Sequence, residues 1–333
     1  MTLAGEPVNR SAAARQAAHF RFMSGREERI LDTTAALLAD ACAAIRAARG
    51  MKCRAGSFWK GAIGLLKWDG HSHSHFCYHG SGRPLRDYLE RAVRLGFERY
   101  SVTEHPPLPE GWVKNEKLMA ELAMSRQELP EYIQCVEELK REFEGRLEVT
   151  AGLELDYLHG SESFTNRLLE SLDGRLEDVL ISVHFLPGRG GMRCVDFTPD
   201  DFREGLIDYY GSMERVVDEY FQHVELAVAS AAGWKIRKRL GHIHLIEKFR
   251  LALDGIDEEQ IAERVRAVVP KLREAGVGLD VNTAGMRKDT CRKPYASEWL
   301  VKECRAQGIE CVYGSDAHHP DDVGQGWEWF AAI

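Results

Sequence analysis

The 333-residue sequence has no CxxC pair among its eight cysteines, no apolar run of membrane-spanning length and no surplus of basic charge. Each absence removes a class of protein. Scattered cysteines without metal-ligand spacing fit buried or free thiols in a reducing compartment better than disulfides or structural zinc. The first twenty residues lack the apolar core of a secretory signal, and no stretch approaches the roughly twenty apolar residues of a membrane span. A cytoplasmic location with no membrane partner is therefore expected. The 44 basic residues face 52 acidic ones, a formal charge of -8, and no extended basic stripe offers a nucleic-acid surface. An anionic small molecule stays compatible with that charge, because bound metal ions set the local field.

What is present describes a soluble chain, 44% hydrophobic and 29% charged, long enough for one large barrel or two smaller domains. Residues 1–64 are alanine-rich, and Ile30, Leu37, Leu38, Ala41 and Ile45 fall at helical spacing. They predict an N-terminal helical extension with an amphipathic helix over Asp32–Arg49. From residue 65 to 333 the pattern changes to short β-branched runs alternating with helical periodicity, the signature of βα units and a parallel sheet. Seven strands are expected, at Leu65–Trp68, Phe97–Thr103, Leu147–Leu153, Val179–Val183, Leu240–Ile246, Val277–Asn282 and Glu310–Tyr313. The basic run Lys235–Arg239 reads as a solvated turn before the fifth.

Chemistry-bearing residues gather where these strands end. Asp69, His71 and His73 alternate as the first strand runs out, which places two imidazoles side by side. Glu104 and His105 follow the second strand, Glu154 and Asp156 the third, and His184 the fourth. The fifth carries His242 and His244 on one face, and the seventh runs into Ser315-Asp316-Ala317-His318-His319. In a parallel barrel all strand C-termini open on one mouth, so these side chains converge there. Imidazole and carboxylate donors in that number point to divalent transition metals. Cys77 lies in the same loop with no dedicated base beside it, so nothing marks it as a nucleophile.

The segments DGHSHSHFCYHGSG, VTEHPPLP, GLELDYL, SVHFL, GHIHLIEKF, DVNTAGMRK and YGSDAHHPDDVG, over about four fifths of the chain, resemble the PHP (polymerase and histidinol phosphatase) superfamily, specifically its histidinol-phosphatase branch. The resemblance implies a distorted TIM-like (β/α)7 barrel holding three divalent metal ions, zinc, manganese or iron. It implies hydrolysis of L-histidinol phosphate, a small phosphomonoester, by a metal-bridging hydroxide. By this resemblance His71, His73, Glu154 and Asp316 hold one metal, and Glu154 bridges to a second held by His184 and His242. His79, His105 and His318 hold the third. Asp316, His318 and Glu154 carry catalysis, and Arg287 contacts the substrate as a phosphate fork. His244, on the strand face of His242, is expected either to support a ligand or to contact substrate. Asp69 is expected to orient a ligand histidine, and Glu104 and Asp156 to support others. The resemblance also implies a closing helix after the last motif, for which the sequence leaves little room before Ile333. Competing readings are a phosphoesterase of other specificity, including a nuclease, and a non-catalytic metal-binding protein.

Overall fold

The structure is a computed structural model and describes residues 66–333. The expected helical extension over residues 1–64 lies outside the described residues. Seven parallel strands form the sheet, in the order β1 (Trp68–Asp69), β2 (Arg99–Glu104), β3 (Glu148–Asp156), β4 (Asp178–Ser182), β7 (Arg237–Leu240), β8 (Gly278–Asn282) and β9 (Cys311–Gly314). The last strand returns to the first. Gly70 N donates to Tyr313 O at 2.8 Å, and past the strand ends Asp316 N donates to His71 O at 2.8 Å and His73 N to Ala317 O at 3.0 Å. The result is a nearly closed α/β barrel.

The outward side chains of these strands, among them Val102, Leu153, Val179, Leu240 and Val281, are buried under the surrounding helices. The helix Met213–Ala231 supplies Val216, Val217, Tyr220, Phe221, Val224, Ala227 and Val228 at three- and four-residue spacing. Glu258–Ala275 does the same with Ile261, Val265, Val268, Val269 and Leu272, and starts where the Asp257 carboxylate caps the amides of Glu259 and Gln260. A short final helix, Trp327–Ala331, follows the last strand, and its Trp327 and Phe330 pack against Tyr313.

Two expectations fail at the fifth barrel strand. It spans Arg237–Leu240 and stops before His242, so His242 and His244 lie in the following turn and not on a shared strand face. The basic run is a solvated turn only at its start, where Lys235 is exposed, because the strand begins at Arg237 and period two sends Arg239 into the barrel while Leu240 joins the outer core. Arg239 is fully buried and pairs with Asp178, donating also to Gly70 O at 2.7 Å. Ser101 completes this polar layer, donating to Asp178 Oδ2 at 2.9 Å and accepting from Trp68 Nε1 at 3.0 Å. A further two strands, β5 (Phe185–Gly188) and β6 (Gly191–Cys194), form an antiparallel hairpin after β4 that the alternation pattern does not predict.

Candidate metal centre

The C-terminal ends of the strands bring the expected side chains into one cluster. Glu154, nearly the last residue of β3, stands at its centre and is buried. Its Oε2 lies 3.1 Å from His71 Nε2 and 3.2 Å from His73 Nε2. Its Oε1 lies 2.8 Å from His242 Nε2 and 3.6 Å from His184 Nε2. Each carboxylate oxygen thus faces different histidines, and His105 Nε2 also lies 3.6 Å from Oε2. Asp316 joins the first group, with Oδ1 3.4 Å from His73 Nε2 and 3.7 Å from His71 Nε2. Its φ of 51° is in the left-handed region, which Asp tolerates better than most residues and which recurs at functional sites.

The third expected set is brought together less evenly. His79 and His318 approach to 3.2 Å between their Nε2 atoms, whereas His105 stacks on His73 and keeps its ring 5.5 Å from that of His79. Cys77 Sγ, which the motif reading set aside, is 3.4 Å from His79 Nε2.

These spacings fit metal coordination. Around a tetrahedral ion with zinc's usual bond lengths, two ring nitrogens sit about 3.3 Å apart. The observed pairs, His71–His73 at 3.4 Å, His184–His242 at 3.0 Å and His79–His318 at 3.2 Å, bracket that edge.

The polar neighbours set which imidazole nitrogen faces inward. Asp280 Oδ2 lies 2.8 Å from His71 Nδ1, and Asp156 Oδ1 lies 2.7 Å from His184 Nδ1. A proton held on each Nδ1 leaves the Nε2 lone pair pointing into the cluster. Ser182 Oγ donates to Glu154 Oε1 at 2.7 Å, and Gly241 makes room for it, since a Cβ there would fall 2.1 Å from that hydroxyl. Glu104 lies 3.5 Å from His73 Nδ1 and accepts from Ser74 Oγ at 2.5 Å. Asp69 takes a different part from the one expected. It accepts from the backbone amides of Ser315, at 2.9 Å, and His71, at 3.5 Å, and so fixes the two loops rather than a ring.

Charge is balanced inside the cluster. Burial would raise the Glu154 carboxyl, but His71, His105, His184 and His242 outweigh it and hold it well below its ordinary value. Asp316 is likewise held low, against burial, by His71, His73 and His318. Burial would lower His71, yet Glu154, Asp280 and Asp316 push it up to about 10. His105 and His318, buried among other imidazoles, are pulled well below 6.5.

Arg287 reaches back to the Asp316 loop, donating from Nη2 to Ser315 O at 2.9 Å, and its buried Nη1 has no partner among the described residues. His244 is buried, with Nδ1 3.2 Å from Tyr295 O. Residues that the motif reading missed include Asp280 and the pair Asp196–Lys248. Lys248 Nζ donates to Asp196 O at 2.7 Å and Oδ2 at 2.8 Å, and the Asp196 charge helps to raise His184. Asp280 was visible as the inward-facing carboxylate of a strand; Asp196 follows a hairpin that carries no pattern signal.

The PHP domain profile matches residues 69–284, and a profile described as PHP-associated matches 301–333. The histidinol-phosphatase of Bacillus subtilis is 36% identical over 266 residues, covering 80% of this chain and 98% of that protein. A crystal structure described as a histidinol phosphatase, HisK, from Listeria monocytogenes superposes with a TM-score of 0.75 at 33% identity, over 79% of this chain and all of the other. The Lactococcus lactis histidinol phosphate phosphatase, solved with zinc, L-histidinol and phosphate, gives a TM-score of 0.58 at 20% identity, over 77% of this chain and 87% of the other. Fold, strand-end cluster and relatives together make this chain a member of the PHP-domain family, in its histidinol-phosphatase branch.

Proposed function

We propose that this chain is a metal-dependent histidinol-phosphatase, hydrolysing L-histidinol phosphate to L-histidinol and inorganic phosphate in histidine biosynthesis. The observation that carries the reading is the split carriage of Glu154, one oxygen toward His71 and His73 and the other toward His184 and His242. A carboxylate so placed suits two metal positions at once. When bound, divalent ions there supply Lewis-acid polarisation of phosphoryl oxygens and an acidified water. His71, His73, Glu154 and Asp316 are assigned to the first position and Glu154, His184 and His242 to the second. His79, His105 and His318 are assigned to the third.

The chain's own groups orient and neutralise. Asp280 and Asp156 hold the rings of His71 and His184 in one tautomer, which keeps the reacting centre rigid. Arg287 is assigned to the substrate phosphate through its Nη1, which has no partner among the described residues, with Ser315 O fixing the fork. His244, buried in the turn that follows His242, is assigned to the histidinol moiety. Asp316, His318 and Glu154 form the catalytic set around the phosphoryl group. The six cysteines described are free, in keeping with a cytoplasmic enzyme, and no described helix is long and apolar enough to cross a membrane.

Chelator treatment followed by readdition of zinc or manganese tests the reading. Phosphate release from L-histidinol phosphate should vanish and return; release that survives full metal removal contradicts it.

A further inference from the structure

The donors near the third metal position include a thiol. Cys77 sits in the turn Ser74–Gly80, which two backbone hydrogen bonds shape: Cys77 N donates to Ser74 O at 3.1 Å, and Gly80 N donates to Cys77 O at 3.0 Å. That turn buries the Cys77 side chain and directs it into the mouth. Donor atoms of His73, Cys77, His105 and His318 all lie within 4.8 Å of one another. His73 is drawn toward Glu154 and Asp316, at 3.2 Å and 3.4 Å, more closely than His105, whose Nε2 lies 3.6 Å from Glu154 Oε2. His79 takes its place beside the thiol, with Nε2 3.4 Å from Cys77 Sγ and 3.2 Å from His318 Nε2.

These two distances match a tetrahedral site. With zinc's usual bonds to sulfur and nitrogen, a sulfur and a nitrogen ligand sit about 3.5 Å apart and two nitrogens about 3.3 Å apart. We propose that Cys77 is the fourth protein donor of the third metal position, completing a one-thiolate, three-imidazole set with His79, His105 and His318. The inference rests on the metal-dependent reading above.

Two consequences follow from the donor chemistry. A thiolate among imidazoles favours zinc or ferrous iron over manganese or magnesium, so the third position differs in metal preference from the carboxylate-rich pair at Glu154. The thiolate's negative charge also offsets part of the third ion's positive charge, which three neutral imidazoles alone leave in full. As the sulfur–metal bond forms, the Cys77 proton leaves to solvent and the sulfur lone pair is donated to the ion.

Cobalt(II) reports thiolate ligation directly, because sulfur-to-cobalt charge transfer absorbs in the near ultraviolet, where imidazole and carboxylate complexes do not. The metal-stripped full chain, saturated with cobalt, is expected to show this band. It should disappear in Cys77→Ser and persist in Cys194→Ser, another buried thiol. Absence of the band in the saturated unsubstituted chain overturns the proposal, as does its survival in Cys77→Ser. Should Cys77→Ser not fold, X-ray absorption at the zinc edge of the unsubstituted protein decides, with a sulfur neighbour at about 2.3 Å expected and none contradicting. Phosphate release from L-histidinol phosphate is measured on the same cobalt sample. Activity without the band discards the thiolate alone; the band without activity discards the substrate reading and keeps the ligand.

Discussion

Glu154 Oε1 lies 2.8 Å from His242 Nε2, across the gap between the ends of two different barrel strands. Both residues are buried. Glu154→Gln keeps the size of the side chain but removes the charge that balances the surrounding imidazoles. Phosphate release should fall by about two orders of magnitude or more, the scale of losing a preorganised electrostatic partner. His242→Ala should do the same while losing one metal ion and retaining the fold. Steady-state phosphate assays and metal analysis of the two variants check this; near-normal activity in either removes Glu154 from the centre of the site.

The hydrogen bond between His71 Nδ1 and Asp280 Oδ2 predicts a milder phenotype. Asp280 is fully buried behind His71, and Asp280→Asn still fills its place. Metal affinity should fall by about 10–100-fold, the range for losing a carboxylate that orients a ligand histidine. Excess zinc should then rescue much of the activity. Competition with a metal buffer measures the affinity, and an unchanged value contradicts the orienting role.

Arg239 and Asp178 form an ion pair inside the barrel, far from any solvent. Arg239→Met strands the Asp178 carboxylate and should cost about 3–5 kcal/mol of stability. Replacing both partners by apolar residues should recover most of that loss. Denaturant unfolding of the single and double variants checks it; equal destabilisation in both would mean that shape, not charge, is what Arg239 contributes.

Metal binding should stabilise the fold more at high pH than at low. In metal-free protein burial opposes charge on His71, but Glu154, Asp280 and Asp316 raise it to about 10; Glu154 and Asp156, against burial, raise His184 to about 9. Both values lie above the ordinary 6.5, so the stability from these charged rings is complete below 6.5 and is lost as pH climbs through 9 and 10. Glu154 and Asp316, held low, contribute in the opposite sense, with stability present above the ordinary carboxylate range and lost in acid. A metal must displace the imidazole protons, so the rise in Tm on adding zinc should be larger near about pH 8.5 than near about pH 6. A shift that shrinks with rising pH contradicts this balance.

The barrel and most of the cluster were legible because parallel strands bring widely separated motifs to one mouth. His71, His73, Glu154 and His184 needed only strand ends and period two, and His242 is brought in by the turn after its strand. His244 was misread because the strand before it is shorter than its apolar run suggests: Leu240 ends the ladder, and His244–Ile246 turn away. Arg239 was invisible for another reason. In sequence it belongs to a basic run, and only a closed barrel with Asp178 opposite makes a buried arginine tolerable. Cys77 carries no spacing signal, since its partners come from His79, the end of β2 and the loop after β9.

Phosphate release by the purified, zinc- or manganese-loaded chain, comparing L-histidinol phosphate with a panel of unrelated phosphomonoesters and with His242→Ala as control, is the most direct test. The account predicts a strong preference for L-histidinol phosphate that the control abolishes. Equal rates across the panel, or activity undiminished in His242→Ala, would contradict it.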